Sequence, residues 1–179
     1  MGYVEHVPFA TPEQMDRMAK LGLIISIQDA GYYAGFPGAN PTMGKDRLEH
    51  QNPVAEFLNH KLVVIGGSDY GGPTPAEMYP NNPFIPFYFY VTRNAKDGTA
   101  VGADEKISRD QALRIFTVNP AYATFEEKVK GSIEAGKLAD FVILSQDIMT
   151  VPDGQILSTH PLATYVGGRK VFAAGKTNF

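Results

Sequence analysis

Two short, mainly apolar runs, Leu23-Ile24-Ile25-Ser26-Ile27 and Leu62-Val63-Val64-Ile65, constrain the fold more than any other feature of the chain. Neither alternates apolar with polar residues. A strand with one wet face alternates, whereas a strand covered on both faces does not, and doubly covered strands belong to parallel sheets. The segment before the first run carries a helix start, Thr11-Pro12-Glu13-Gln14. Thr11 can act as N-cap, Pro12 fits the first helical position, and Gln14 closes a capping box. Met15, Met18 and Ala19 give this helix an apolar stripe, and Gly22 ends it. Residues Tyr3 to His6 alternate weakly and read as a short strand. The chain therefore opens strand–helix–strand, which implies a parallel sheet.

The second run continues as Gly66-Gly67-Ser68-Asp69 and enters a loop rich in Gly and Pro. In α/β folds the carboxyl ends of parallel strands are where ligands and catalytic groups collect. Asp69 is accordingly a candidate functional acid, with a turn or N-cap acid as the plainer alternative.

Bulk properties narrow the classes. At 179 residues with 44% hydrophobic and 20% charged content, the chain can bury a real core. A net charge of −3, with Lys and Arg scattered, gives no footprint for nucleic acid or an anionic membrane. There is no cysteine, hence neither disulfide nor thiolate metal site, which fits a cytoplasmic protein. No apolar run approaches the roughly 20 residues of a membrane span, and no signal-peptide pattern is visible.

Further along, residues 29 to 44 read as a loop carrying Tyr32, Tyr33 and Phe36, and residues 45 to 59 as a helix leading into the Asp69 strand. Asn82-Pro83 starts a helix on which Phe84, Phe87, Tyr88 and Val91 follow helical spacing, a packed face. Ser108-Arg109-Asp110-Gln111 is a second capping box, with Ala112, Leu113, Ile115 and Phe116 buried behind it and Pro120 as breaker. From Gly131 the texture changes to turns, a strand at Phe141 to Leu144, and a hairpin around Gly167-Gly168.

Four segments in this order, Val4-Glu5-His6, Gly67-Ser68-Asp69, Ser108 to Leu113 and Gly131 to Val142, resemble the amidohydrolase superfamily, and more narrowly the C-terminal part of amidohydrolase family 3. The most specific stretch runs from Gly131 to Leu144 and opens Gly131-Ser132-Ile133-Glu134-Ala135-Gly136-Lys137-Leu138-Ala139-Asp140. The resemblance implies an α/β fold. Residues 1–130 would be the last three strand–helix units of a (β/α)8 TIM-like barrel, and residues 131–179 part of a small β-sandwich. It implies a metal-dependent hydrolase acting on non-peptide carbon–nitrogen bonds such as amides or formamides, with a small-molecule substrate. His6 matches a metal-ligand position, Asp69 a position that is both metal ligand and general base, and Gln28 a substrate-side position. The cofactor implied is a divalent metal, zinc by preference, for which imidazole and carboxylate are suitable donors. His50, His60 and His160 match no ligand position.

A complete barrel needs about 250 residues. No His-x-His pair occurs in these 179 residues. The chain therefore reads as a fragment that alone is inactive and binds metal weakly, with the missing N-terminal half or a homo-oligomer as partner. A non-catalytic remnant or interaction module that keeps part of the fold is the competing reading.

Overall fold

The computed structural model describes residues 2–34, 44, 47, 49–67 and 81–175. They form two compact units, Met1–Phe116 and Thr117–Phe179. The first holds a three-stranded parallel sheet, β1 (Tyr3–Glu5), β2 (Ile24–Ile27) and β3 (Val63–Gly66), in the order β1-β2-β3. The mainly apolar run of β2 fits its central place, since all four of its residues, Ser26 included, are buried. β1 is the exposed strand of the three.

Helix α1 (Pro12–Lys20) begins as its sequence dictates. Thr11 N–H donates to Gln14 Oε1 at 2.8 Å, and Gln14 N–H donates to Thr11 Oγ1 at 3.3 Å. Such reciprocal caps satisfy two N–H groups that the first turn leaves without partners. Met15 is buried. After β2 the chain makes one helical turn, α2 (Ala30–Tyr33), where a loop was expected. The helix expected over 45–59 is present at its end as α3 (Val54–Asn59). Arg47 and Glu49 are helical as well, and Asn52 and Pro53 account for the break before Val54. A residue before proline is driven out of the right-handed helical region, and Asn52 takes φ 55.

Helix α4 (Phe84–Thr92) departs from the expected single apolar face. Ile85, Pro86, Phe87, Phe89, Tyr90 and Thr92 are all buried, whereas Phe84, Tyr88 and Val91 are half-buried. A helix apolar on every side is one that is covered on every side. Tyr32 stacks on Phe89 with centroids 6.1 Å apart, and Tyr33 meets Tyr88 edge-on at 5.9 Å, so α2 is seated on α4.

Helix α5 (Arg109–Phe116) opens with the second capping box, Ser108 N–H to Gln111 Oε1 at 2.8 Å and Gln111 N–H to Ser108 Oγ at 3.2 Å. It lies so close to β3 that a Cβ on Gly66 would sit 2.7 Å from Phe116 Cε1 and 2.9 Å from Ile115 Cγ2. Glycine is required at Gly66 by this approach rather than by backbone angle.

The second unit contains α6 (Val118–Ala123) and an antiparallel sheet of β4 (Phe141–Leu144), β5 (Pro161–Val166) and β6 (Arg169–Ala173). Its contacts begin upstream of the change in texture at Gly131. A Cβ on Gly131 would lie 2.7 Å from Ala121 Cβ, and Leu138 N–H donates to Val129 O at 2.8 Å. Within the Gly131–Asp140 pattern, Lys137 Nζ donates to Ser132 Oγ at 2.6 Å, Ser132 Oγ donates to Glu134 Oε1 at 2.5 Å, and Asp140 Oδ1 accepts from Gly167 N–H at 2.6 Å. The pattern is thus a folded turn that pins the hairpin. Gly167 and Gly168 both have positive φ between Val166 and Arg169, the geometry a two-residue turn needs. Among the described residues no helix is long and apolar enough to cross a membrane.

Replacing Gly66 by Ala is expected to destabilise the first unit by about 1–3 kcal/mol through overpacking against α5. Urea unfolding measures it. A midpoint equal to wild type would show that Phe116 and Ile115 yield freely.

Candidate active site

Because β1, β2 and β3 run parallel, their carboxyl ends lie along one edge of the sheet. His6 follows β1, Gln28 follows β2 and Gly67 follows β3. Two of the three expected site residues, His6 and Gln28, are therefore brought to the same edge. Asp69 lies outside the described residues, two positions beyond Gly67.

Each strand end is tied to its neighbour. His6 N–H donates to Ser26 O at 2.7 Å, and Gly67 N–H donates to Ile27 O at 2.9 Å. The backbone then turns sharply. His6 has φ 66 and Val7 φ 44, and Val7 N–H donates to Glu5 O at 2.8 Å. A three-residue turn with positive φ at its centre is the rare, strained form. Positive φ at a β-branched residue adds to that strain. Strain of this kind persists only where its surroundings over-determine it, and it gathers at functional sites. The His6 side chain is exposed.

Gln28 Nε2 donates to Glu5 Oε2 at 2.8 Å and to Ser26 Oγ at 2.9 Å. Both amide hydrogens are thereby engaged, and the carboxylate of Glu5 fixes which end of the amide faces it. Gln28 Oε1 is buried with no partner among the described residues. What Gln28 can still offer a ligand is an acceptor.

Behind this edge lies a buried polar cluster that the sequence reading did not single out. Asp29, directly after Gln28, is fully buried. Asn52 Nδ2 donates to Asp29 Oδ1. The Tyr90 hydroxyl faces Asp29 without an aligned hydrogen bond. Arg93 is 0% exposed and reaches three backbone carbonyls: Nε to Val101 O at 2.8 Å, Nη2 to Gln51 O at 2.9 Å and Nη1 to Asn52 O at 3.3 Å. Its guanidinium carbon lies 4.6 Å over the Phe89 ring. Glu105 Oε2 accepts from Ala55 N–H at 2.8 Å and Glu56 N–H at 3.2 Å, capping α3 where Pro53 cannot.

Burial pushes the Asp29 carboxyl up to about 7, with the Arg93 guanidinium pulling the other way. Burial also lifts the Tyr32 phenol to about 12 and pushes the Arg93 guanidinium down. Only an acid in an apolar aromatic stretch, or an Arg ending one, would have hinted at this cluster.

The donor kind described at the edge, the His6 imidazole, suits a zinc-type ion. Among the described residues, no three His, Asp or Glu side chains are grouped to hold one. His60 is elsewhere, its Nδ1 paired with Asp16 Oδ1 at 2.7 Å.

The chain belongs to the amidohydrolase family, whose sequence pattern matches residues 1–172. It is 31% identical over 169 residues to the N-substituted formamide deformylase of Arthrobacter pascens, covering 92% of this chain and 30% of that protein. Two crystal structures share its mixed α/β fold. One, an uncharacterized metal-dependent hydrolase of Pyrococcus horikoshii, matches 85% of this chain and 30% of its own with TM-score 0.68 at 19% identity. The other, an atrazine chlorohydrolase variant of Arthrobacter aurescens complexed with zinc and atraton, matches 96% and 36% with TM-score 0.61 at 17% identity. The chain thus spans about a third of the length of these relatives.

The raised acid of Asp29 has a definite consequence for stability. Its pKa is near 7 folded and about 3.9 unfolded, so folding favours the protonated form. That contribution is complete below about pH 4 and is lost as pH rises through 7. The stability of wild type relative to Asp29→Asn is expected to fall by up to about 4 kcal/mol between pH 4 and pH 8. Urea melts of both proteins across that range check it; a constant difference would contradict it.

Proposed function

We propose that the carboxyl edge of the parallel sheet is part of the active site of a metal-dependent hydrolase that cleaves non-peptide carbon–nitrogen bonds, amides or formamides. The observation that carries the reading is the convergence of His6 and Gln28 at one strained sheet edge in a chain of the amidohydrolase family. The similarity to a formamide deformylase supports the substrate class. In this reading the sheet is the last three strand–helix units of a (β/α)8 barrel, and residues 131–179 belong to a small β-sandwich.

His6 and Asp69 would hold the metal, zinc by preference. When bound, the ion supplies Lewis acidity and lowers the pKa of water from about 15.7 to about 7. A catalytic zinc generally has three protein ligands, so these two make a partial set. The Asp69 carboxylate accepts the proton of the attacking water and later returns it to the leaving nitrogen. Gln28 Oε1 accepts a hydrogen bond from the substrate N–H, its own amide hydrogens being held by Glu5 and Ser26.

Zinc titration of the 179-residue chain tests the assignment. Weak binding is expected, reduced at least about tenfold by His6→Ala and by Asp69→Asn, a loss of about 1.4 kcal/mol each. His60→Ala should leave it unchanged. Binding indifferent to His6 would sink the assignment. Tight stoichiometric zinc with formamide hydrolysis by this chain alone would contradict a partial ligand set.

A further inference from the structure

We propose that Asn52 is a positioning residue for this site, coupling the turn at His6 to the segment that carries Gln28. The inference rests on the reading of that edge as the reactive one, and it concerns a residue that touches neither metal nor substrate.

Asn52 is 1% exposed and reaches three segments at once. Its backbone N–H donates to Pro8 O at 2.9 Å, tethering the chain directly after the strained turn at His6 and Val7. Its side-chain Nδ2 donates to Asp29 Oδ1, one residue beyond Gln28. Its backbone carbonyl accepts from Arg93 Nη1 at 3.3 Å, which anchors the whole segment on α4. Along the edge itself, Gln28 closes the circuit by donating to Glu5 at 2.8 Å. A displacement at Asn52 therefore moves both Pro8 and Asp29, and with them the two residues the site presents.

The chemistry explains why the residue is asparagine. The position has φ 55, which Asn tolerates better than other side chains. It also needs an amide donor facing a buried carboxylate. Glycine would keep the backbone and lose the donor. Aspartate would keep the shape and set a second carboxyl against Asp29. Alanine would lose both features.

A merely structural Asn52 would cost stability when replaced without altering the edge specifically. The test is therefore spectroscopic, on the full 179-residue chain without metal. In Asn52→Gly the His6 imidazole and the Gln28 side-chain amide resonances are both expected to shift from their wild-type positions. In Thr11→Ala, which removes the cap of α1, neither should move. A lowered unfolding midpoint in Asn52→Gly with both resonances unmoved would overturn the proposal. Where Asn52→Gly fails to fold, Asn52→Asp is read in the same way. Where both fail, native-state hydrogen exchange of wild type replaces them. The amides of Asn52 and Tyr32, bonded to Pro8 O and Asp29 O, should open with one common free energy. Two distinct free energies would overturn the coupling. Because every spectrum is recorded without metal, the coupling stands or falls separately from zinc binding.

Discussion

The guanidinium of Arg93 is the constraint on which the first unit depends. It lies fully buried over Phe89 and satisfies the carbonyls of Gln51, Asn52 and Val101. None of those segments is regular structure, so their backbone groups have no ladder to join, and a buried carbonyl without a donor costs about 1–3 kcal/mol. The planar fork of arginine can meet several acceptors at fixed angles, which a lysine ammonium cannot. Asp29 and Glu105 are both close enough to influence its ionisation. A buried ion cluster of this sort is weak evidence of net stability. Its clearer effect is to fix where the irregular segments lie.

Those segments are the ones that flank the carboxyl edge of the sheet. The strands bring His6 and Gln28 to the edge, and the interior cluster determines how the chain leaves it. The edge is strained at His6 and Val7, and the next residue, Pro8, accepts from the Asn52 N–H. The geometry of the edge and the packing behind it are thus one arrangement.

Local signals were readable in the sequence wherever a few neighbouring residues decide the outcome. Thr11 and Gln14, Ser108 and Gln111, and Gly167-Gly168 each carry their own hydrogen-bonding logic, and the structure realises all three. The apolar run of β2 likewise declared its burial. What could not be read was set by distant partners. Phe89 and Tyr90 are buried because α2 and other segments cover α4 from several sides, which no helical stripe reveals. Asp29, Asn52 and Arg93 are separated in sequence and meet only in the fold. His6 and Gln28 were reached through family resemblance, whereas the hydrogen bonds that limit Gln28 to an acceptor role belong to Glu5 and Ser26 and needed the structure.

One arginine fork thus registers the segments behind the candidate site. Arg93→Lys tests it most directly, since it keeps the charge and removes the fork. Native-state hydrogen exchange should then show the amides of Asn52, Tyr32 and Val101 losing protection together, while those of β2 stay protected. Wild-type protection at all three amides would contradict the account.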